Sequence, residues 1–486
     1  MNLTIPTFCL GSIGPWITLS VTAIIILLAD ALSPRGNRAA APGLALVGLV
    51  VAAFQTYYLW GQNIMDFARM VYVDNFSLFF YLIFILGTIL TVLISLPYLK
   101  DYDKNLAEYY ALVLFATVGM MIMAAGSHLI MIFLGLEIMS IAIYVLAGLF
   151  REDARSNEAA LKYLILGGFA SAFLLFGMAM LYGAAGGTLF LSDLAPRLAG
   201  ANLLKPLTLL AMALLLAGFG FKVASVPFHM WTPDVYEGAP TSVTAFMAVG
   251  VKAAAFAAFA RIFFLAFPGL QIDYQMVLWV LAVATMTLGN VVAIAQTNIK
   301  RMLAYSSIAH AGYLMMAIIA ANQLGAVSLM YYLLAYTLMN LGAFGVVILV
   351  GRKQDKYLSI YDYSGLGFQQ PVLGAAMALF MFALAGMPPT AGFVGKFYVF
   401  SAAVKAGYIW LAIIGVMNSL VSVYYYLRIT VLMYMKPAEA DLGAINYAPG
   451  LSATLIITAI GVLFIGIFPG FFYDLAMASV KAFPGL

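Results

Sequence analysis

Long uninterrupted runs of apolar residues dominate this chain and restrict the folds it can adopt. A helix needs about 20 mostly apolar residues to cross roughly 30 Å of hydrocarbon. Because the runs are continuous rather than alternating, they do not predict the strands of a β-barrel. No Lys or Arg precedes the first run, so we expect a retained span rather than a cleaved signal peptide. The sequence predicts an all-α polytopic membrane protein with about fourteen transmembrane helices, at 13–32, 43–60, 75–98, 108–126, 128–150, 158–184, 206–227, 241–266, 275–296, 302–321, 325–350, 372–397, 406–434 and 451–475.

Composition excludes several classes of function. Of the 486 residues, 65% are apolar and 9% are charged, whereas soluble domains carry roughly 45–50% apolar and about 25% charged residues. Soluble α/β and all-β enzymes are therefore excluded. A net charge of +4 leaves no basic stripe for nucleic acid. The single cysteine, Cys9, permits neither an internal disulfide nor a cysteine-built metal or iron–sulfur site.

Basic residues in short loops predict the orientation in the membrane, because such residues are enriched on the cytoplasmic side. If the first loop is cytoplasmic, that side receives Arg35, Arg38, Lys100, Lys104, Arg151, Arg155, Lys300, Arg301, Arg352, Lys353, Lys356 and Lys436. The other side receives only Arg69, Arg197, Lys205, Lys405 and Lys481. This bias predicts that both termini lie outside the cytoplasm.

Proline interrupts two of the apolar runs, one at Pro227 and one at Pro388-Pro389. Broken helices in corresponding positions of two halves indicate a transport pathway. The breaks fall in the seventh and twelfth spans, so we expect helices four to eight to recur as helices nine to thirteen in inverted orientation. The expected divisions are 1–107 (three helices), 108–266 (first repeat), 267–434 (second repeat) and 435–486 (last helix).

Four ionisable residues lie near the middle of the membrane on or near the two broken runs, and a charge at the bilayer centre costs at least about 2.5–3.5 kcal/mol. They are Glu137, Lys222, Lys252 and Lys396. A lysine removed from water can lose its proton at neutral pH, so a row of such groups is suited to moving protons or small cations. Glu137 and Lys222 also have a purely structural interpretation, as halves of buried ion pairs, and Lys396 could be an interfacial lysine. Lys252 is harder to explain in this way, because no carboxylate lies within one helical turn of it and a side chain in mid-span cannot easily reach the interface.

Other polar residues carry weaker signals. Lys162 and Glu158 are four residues apart and can pair on one helical face. His310 could relay protons because its pKa lies near neutrality, but the three histidines lack the spacing of a metal site. Asp234 and Glu237 either gate proton uptake or cap a loop. Tyr424, Tyr425 and Tyr426 are interpreted as packing residues.

Five stretches of the sequence resemble the antiporter-like membrane subunits of respiratory complex I. They are Gly135-Leu136-Glu137, Phe221-Lys222 to Tyr236, Gln296 to Arg301, Tyr305 to His310 and Gly392 to Phe397. The resemblance extends over nearly the whole chain. Two expectations distinguish this chain from the M and L members of that family. M and L typically have glutamate and aspartate, respectively, where this chain has Lys396. L also has a long lateral helix, which we do not expect here.

The resemblance implies a route for protons. Glu137 and Lys222 would form a paired acid and base in the cytoplasmic half-channel, with Lys162 helping to connect the pair. Lys252 would be the central relay, His310 would lie on the hydrated axis, and Lys396 would release protons to the other side. Separating Glu137 from Lys222 would remove the charge that favours protonated Lys222 and would push its proton onward.

The resemblance also implies partners and a location. NADH, FMN, iron–sulfur clusters and quinone would be bound by partner subunits, and this chain would bind no cofactor and no metal. Its neighbours would be subunit M and small membrane subunits in the bacterial inner membrane. Two alternatives remain: a subunit of a multi-subunit sodium/proton antiporter, and a non-catalytic scaffold whose buried charges merely pair.

Overall fold

The computed structural model describes residues 9–32, 40–102, 106–199, 205–351, 355–439, 447–481 and 483. Within these ranges the chain is almost entirely α-helical, because a backbone in lipid must satisfy its hydrogen bonds within each segment. Thirteen helices are long and apolar enough to span a membrane. Of the basic loop residues counted above, Arg35, Arg38, Lys104, Arg352 and Lys353 lie outside the described residues.

The first half contains eleven helices and one hairpin. Six helices precede the first break: α1 (Gly14–Leu32), α2 (Ala40–Leu59), α3 (Asn75–Asp101), α4 (Ala107–Ala125), α5 (Leu129–Ala147) and α6 (Ala154–Ala184). Strands β1 (Ile64–Asp66) and β2 (Val71–Val73) pair antiparallel between α2 and α3. The remaining helices are α7 (Leu191–Ala199), α8 (Lys205–Val223), α9 (Trp231–Gly238), α10 (Thr241–Phe246) and α11 (Lys252–Ala266).

The second half contains nine further helices. They are α12 (Gln271–Ala295), α13 (Ile299–Ala320), α14 (Gln323–Gly351), α15 (Leu366–Gln369), α16 (Pro371–Ala385), α17 (Ala391–Lys405), α18 (Ile409–Met435), α19 (Pro449–Ile467) and α20 (Pro469–Val480). Short 3₁₀ turns occur at Pro268–Leu270 and Ile360–Tyr363.

A proline-containing gap interrupts the chain at two crossings. The seventh crossing, α8, is long enough to span by itself and is followed, after residues 224–230, by the short α9. The twelfth consists of α16 and α17, and α17 continues to Lys405, beyond the expected end at residue 397. With this crossing, which is absent from the thirteen long helices, the described residues contain fourteen crossings. Four crossings lie between the two broken segments in the order of the chain, so the two segments run in opposite directions; the inverted repeat and its boundaries stay predictions.

Helices in the middle of the bundle are buried from end to end. The segment Thr241–Ala266 is completely buried, and α13 and α14 are 94% buried over their most apolar windows. By contrast, α1, α6 and α19 are only 28–33% buried. Their exposed leucines, isoleucines and phenylalanines form an apolar surface suited to lipid. The polar groups described below therefore lie in a sheltered centre.

The bundle has two polar ends, named here for one residue at each. At the Lys300 end, Asn298 at the start of α13 pairs with Ser359 in a β-bridge. At the Asp74 end, the backbone N–H of Cys9 donates to Asp66 at 2.9 Å, and Phe483 packs edge-on against Phe76. Both ends of the described chain thus lie at the Asp74 end, as an even number of crossings requires.

Candidate functional site

Lys252 lies at the centre of the site, at the start of α11. It directly follows a single π-helical segment, Met247–Val251, of a kind that often occurs at functional positions. Only 3% of Lys252 is exposed. Its ammonium donates to the hydroxyl and the carbonyl oxygen of Ser307 on α13 and lies 5.1 Å from the centre of the Tyr336 ring. No carboxylate pairs with Lys252 among the described residues, so dipoles and a ring stabilise this buried group.

His310 follows Ser307 by one turn of α13 and is joined to two tyrosines. Its Nδ1 lies 2.6 Å from the hydroxyl of Tyr332, and its Nε2 lies 3.0 Å from the hydroxyl of Tyr426. A neutral imidazole donates from one ring nitrogen and accepts at the other. His310 can therefore take a proton on one side and release one on the other, as a relay requires.

Lys396 on α17 reaches back into the gap before its own helix. Its ammonium donates to the carbonyls of Leu384 at 3.1 Å and Ala385 at 2.8 Å, and to the hydroxyl of Ser419 at 2.9 Å. The last carbonyls of a helix have no intrahelical partner. The interruption after α16 therefore supplies acceptors for a lysine that is only 3% exposed.

Aromatic rings connect His310 to Lys396. The Tyr313 ring lies 5.8 Å from that of His310, and the Lys396 ammonium lies 5.2 Å from the centre of the Tyr313 ring. On the other side, the Tyr336 ring lies 5.1 Å from His310. Lys252, His310 and Lys396 thus belong to one contiguous buried cluster, which we call the central relay.

Glu137 and Lys222 do not form a direct ion pair in this structure. The ammonium of Lys222 donates to Ser140 at 2.8 Å and Tyr144 at 3.3 Å, both on α5. Glu137, one turn before Ser140, instead accepts a 2.5 Å hydrogen bond from Ser171 on α6. The two charges still interact electrostatically. The expected pair is therefore separated, because neighbouring hydroxyls bind each partner.

Lys162 belongs to a different cluster, at the Lys300 end. Its ammonium lies 2.7 Å from Glu158, as the four-residue spacing predicts, and also 2.7 Å from Asp234 on α9. Arg301 contacts Asp234 at 2.9 Å and Glu237 at 2.7 Å. The expected link between Lys162 and the Glu137–Lys222 pair is not formed by direct contact, because carboxylates bind the ammonium at the end of the bundle.

Asp234 is the acid that these basic groups share. Burial by itself would raise the pKa of its carboxyl, but hydrogen bonds from Lys162 and Arg301 outweigh burial and lower that pKa below 3.8. A cavity of about 190 Å³ lies beside the cluster. Asp234 is therefore ionised at neutral pH and fixes α9 to α6 and α13.

Only aromatic side chains bridge the space between Lys222 and Lys252. The Lys222 ammonium lies 5.7 Å from the centre of the Tyr163 ring. Tyr163 stacks on Trp231 at 4.4 Å, and Trp231 lies edge-on to Tyr236, which approaches Ser307. Among the described residues, no continuous chain of hydrogen bonds follows these rings from Lys222 to Lys252, so a proton could move along them only with the help of water.

Two buried ion pairs were not foreseen from the sequence. Arg261 and Asp74 are both fully buried and make two hydrogen bonds, at 2.7 and 3.0 Å. Lys300, placed among the loop residues by the sequence, is only 1% exposed and lies 3.7 Å from Asp355.

Hydroxyl partners were missed as well. They include Ser307, Tyr332 and Tyr426; the last does more than pack, because its hydroxyl hydrogen-bonds to His310 of the central relay. Nothing in the sequence marks a buried tyrosine or serine as the neighbour of a charge. The sequence could have predicted only that Ser307 and Tyr426 lie on mostly buried helix faces.

Residues 126–422 match the family described as "NADH:quinone oxidoreductase/Mrp antiporter, TM". The match covers more than half of the chain and includes every residue of the central relay. The fold is therefore that of an antiporter-like membrane protein.

Individual relatives narrow this class. NADH-quinone oxidoreductase subunit N of Trichlorobacter lovleyi is 49% identical, with 98% of each chain covered. A chain of respiratory complex I from Thermus thermophilus is 35% identical with a TM-score of 0.83, covering 96% of this chain and 100% of that one. A chain of the Mrp complex from Dietzia sp. DQ12-45-1b has the same fold, at 21% identity and a TM-score of 0.85 with 98% of each chain covered. This chain belongs to the NADH-quinone oxidoreductase subunit N family.

Proposed function

We propose that this chain translocates protons as a membrane subunit of an NADH-quinone oxidoreductase. The central relay is the observation that carries the proposal. Three protonatable groups, Lys252, His310 and Lys396, lie in one buried cluster joined by hydroxyls and rings. Burying ionisable groups in a membrane costs free energy, so such a cluster indicates a functional site.

The two lysines of the relay have no carboxylate partner among the described residues. A lysine held by a carboxylate would leave an unpaired buried anion when it lost its proton. Lys252 and Lys396 are instead bound by hydroxyl and carbonyl oxygens. Each can therefore lose its proton and become neutral without creating a buried charge. This feature supports a role in proton transfer over a purely structural role.

Glu137 and Lys222 are proposed to load the relay. Their separation in this structure corresponds to a state in which Lys222 is not held by its acid and its proton can move on. The aromatic path of Tyr163, Trp231 and Tyr236 leads from Lys222 toward Ser307. Lys162 lies too close to its own carboxylates to serve as a direct link, and we propose that it anchors α9 beneath the path.

Electron transfer is proposed to take place in partner subunits. The chain's single cysteine cannot build an iron–sulfur cluster, and its buried groups are those of proton chemistry. NADH, FMN, iron–sulfur clusters and quinone would then be bound elsewhere in the complex. We further propose subunit M and small membrane subunits as neighbours, in a bacterial inner membrane with both termini on the outer side.

Substituting Lys252 tests the proposal. Lys252→Met keeps length and packing but removes the central protonatable group, so proton transfer through this chain should fall by about 100-fold or more. The readout is proton uptake into inverted membrane vesicles during NADH oxidation, with the assembled complex quantified in parallel. Lys436→Met, at an exposed lysine, is the matched control. Normal pumping in an assembled Lys252→Met complex would show that the buried charges are only scaffolding.

The second candidate is a subunit of a sodium/proton antiporter, favoured by the fold shared with the Dietzia Mrp chain. Isolating the native complex distinguishes the two functions. Flavin and iron–sulfur subunits in the purified complex support the oxidoreductase. A complex without them that exchanges sodium for protons supports the antiporter.

A further inference from the structure

A row of buried hydroxyls lies along α3. Thr88, Thr91, Ser95 and Tyr98 follow one another at intervals of three or four residues, which places them on one face of the helix. Thr88, Thr91 and Ser95 are completely buried, and Tyr98 is 2% exposed. The resemblance and the central relay leave this row without a role.

The Tyr98 end of the row meets the buried Lys300–Asp355 ion pair, at the Lys300 end of the bundle. Asp355 lies 3.7 Å from Lys300 and accepts hydrogen bonds from Tyr98 at 3.0 Å and Thr241 at 2.8 Å. The side chain of Asp355 is 11% exposed and so can exchange protons with water. A carboxylate that touches both water and a buried hydroxyl is suited to taking up protons.

Further along the row, Ser95 and Thr88 each have a choice of acceptors for the hydroxyl proton, whereas Thr91 donates to the carbonyl of Gly87 at 2.7 Å and to no other described group. Ser95 lies 2.6 Å from its own helix carbonyl and 2.5 Å from the hydroxyl of Tyr109, which lies 3.3 Å from that of Ser242. Thr88 and Thr117 lie 2.8 Å apart, and each also bonds a carbonyl of its own helix. A hydroxyl that can turn between two acceptors can pass a proton along, whereas a hydroxyl with one acceptor only caps it.

The Thr88 end of the row adjoins the Lys252 site. A Cβ at Gly87, the residue before Thr88, would lie 3.6 Å from Thr337 and 3.7 Å from Val249. Thr337 follows Tyr336, whose ring faces the Lys252 ammonium, and Val249 lies in the π-helical segment just before Lys252. The row therefore connects the Lys300 end with the centre of the relay.

We propose that the Lys300–Asp355 pair and the hydroxyls of α3, with Tyr109, Ser242 and Thr117, form a second proton uptake route that reaches Lys252 without passing Glu137 or Lys222. Between Ser95 and Thr88 the hydroxyls are about two turns, or roughly 10 Å, apart along the helix. Transient water must complete that section of the route, and also the sections from Tyr98 to Ser95 and from Thr88 and Thr117 to Lys252, because no hydrogen bond joins these groups among the described residues. The inference rests on the proposed function, because it requires Lys252 to be a proton acceptor.

The experiment uses the assembled complex in inverted membrane vesicles, and every variant is made and compared in a Glu137→Gln background, so that uptake through the Glu137–Lys222 pair does not mask the second route. Thr88→Val keeps the shape of the side chain but removes the hydroxyl that contacts Thr117. Tyr109→Phe likewise removes the hydroxyl that contacts Ser95. We expect each to slow pumping through this chain by about tenfold, the factor that one lost hydrogen bond is worth. Thr88→Ser, which retains the hydroxyl, should restore the rate of pumping. Thr56→Val is the matched control, since Thr56 is equally buried but bonds only a carbonyl of its own helix.

Lys252→Met, measured in the same vesicles, separates the possible failures. Slower pumping in Thr88→Val and Tyr109→Phe, with rescue by Thr88→Ser, supports the second route. If Lys252→Met is impaired while both hydroxyl variants pump normally, the second route is wrong and the proposed function stands. If Lys252→Met also pumps normally, the proposed function itself fails. Equal loss in Thr56→Val would show that only packing is affected and would likewise overturn the route.

Discussion

At the scale of single residues, three of the buried lysines, Lys222, Lys252 and Lys396, share one feature: oxygen atoms of neutral groups bind their ammonium groups. Ser140 binds Lys222, Ser307 binds Lys252, and two helix-end carbonyls with Ser419 bind Lys396. Buried polar groups must be hydrogen-bonded, but neutral acceptors hold a cation less firmly than a carboxylate does. The arrangement keeps each lysine stable in either protonation state.

The Arg261–Asp74 pair shows the opposite arrangement. Asp74 also caps α3 through the backbone of Ser77, and Arg261 donates to the carbonyl of Ala124 on α4. Every charged atom of the pair therefore has a partner, so the pair joins α3, α4 and α11 rather than moving protons.

Removing one member of this pair should be strongly destabilising. Arg261→Met leaves the Asp74 carboxylate buried and unpaired, which should lower the free energy of unfolding by about 3–5 kcal/mol. The measurement is chemical unfolding of the chain in detergent. Combining Arg261→Met with Asp74→Leu should recover much of the loss, because no charge is then left unpaired. A single variant as stable as the parent would contradict this account.

At the scale of helices, the gap between α16 and α17 depends on Gly386. Its φ of +85° lies in the left-handed region, and a Cβ there would lie 2.9 Å from the Lys396 side chain. Glycine is needed both for the backbone and for the space that Lys396 occupies. The break therefore positions the lysine as well as supplying its acceptors.

Gly386→Ala should impair pumping through this chain while the complex still assembles. Both the strained backbone, at about 1–2 kcal/mol, and the displaced Lys396 contribute. Gly407→Ala is the control, because Gly407 has a similar φ of +84° but nothing within 4 Å of its added Cβ. Pumping is measured in vesicles for both variants. Equal effects at the two glycines would show that backbone strain alone is responsible.

The short helix α9 is held by ion pairs rather than by length. Asp234 has a lowered pKa, so its contribution to stability is complete above the ordinary value of 3.8 and is lost only as the pH falls through the lower native value. We expect the α9 amides to be equally protected from hydrogen exchange at pH 7 and pH 5, after correction for intrinsic rates.

Asp234→Asn should reduce that protection at both pH values, because Lys162 and Arg301 lose their shared carboxylate. Asp101→Asn, at an exposed acid, serves as the control. Loss of protection between pH 7 and pH 5 in the parent chain would mean that Asp234 titrates there and that the assigned ion pairs are wrong.

At the scale of the whole molecule, the fourteen crossings place both ends of the described chain at the Asp74 end. Cys9 is exposed there and is the only cysteine. A thiol reagent that cannot cross membranes should label Cys9 in intact spheroplasts, where the predicted outer face is accessible. In a Cys9→Ser background, Glu439→Cys after α18 should react only in inverted vesicles. The reverse pattern would invert the predicted orientation.

Apolar periodicity and composition were enough to predict the membrane-spanning class and the number of crossings. Helix ends were harder to predict. The expected span at 372–397 ends eight residues before Lys405, which is the last residue of α17. The proline gap lengthens the crossing, and hydropathy does not reveal a gap. Similarly, the expected span at 451–475 is two helices, α19 and α20, separated at Phe468.

The sequence by itself determined which residues are costly to bury, because an ionisable group in an apolar run is visible without any structure. Glu137, Lys222, Lys252 and Lys396 were found in this way. Only the tertiary structure decided what binds them: Ser307 is 55 residues from Lys252, and Tyr426 is 116 residues from His310. Partners so distant in sequence are brought together by helix packing, and the same packing buried Lys300 and paired Arg261 with Asp74.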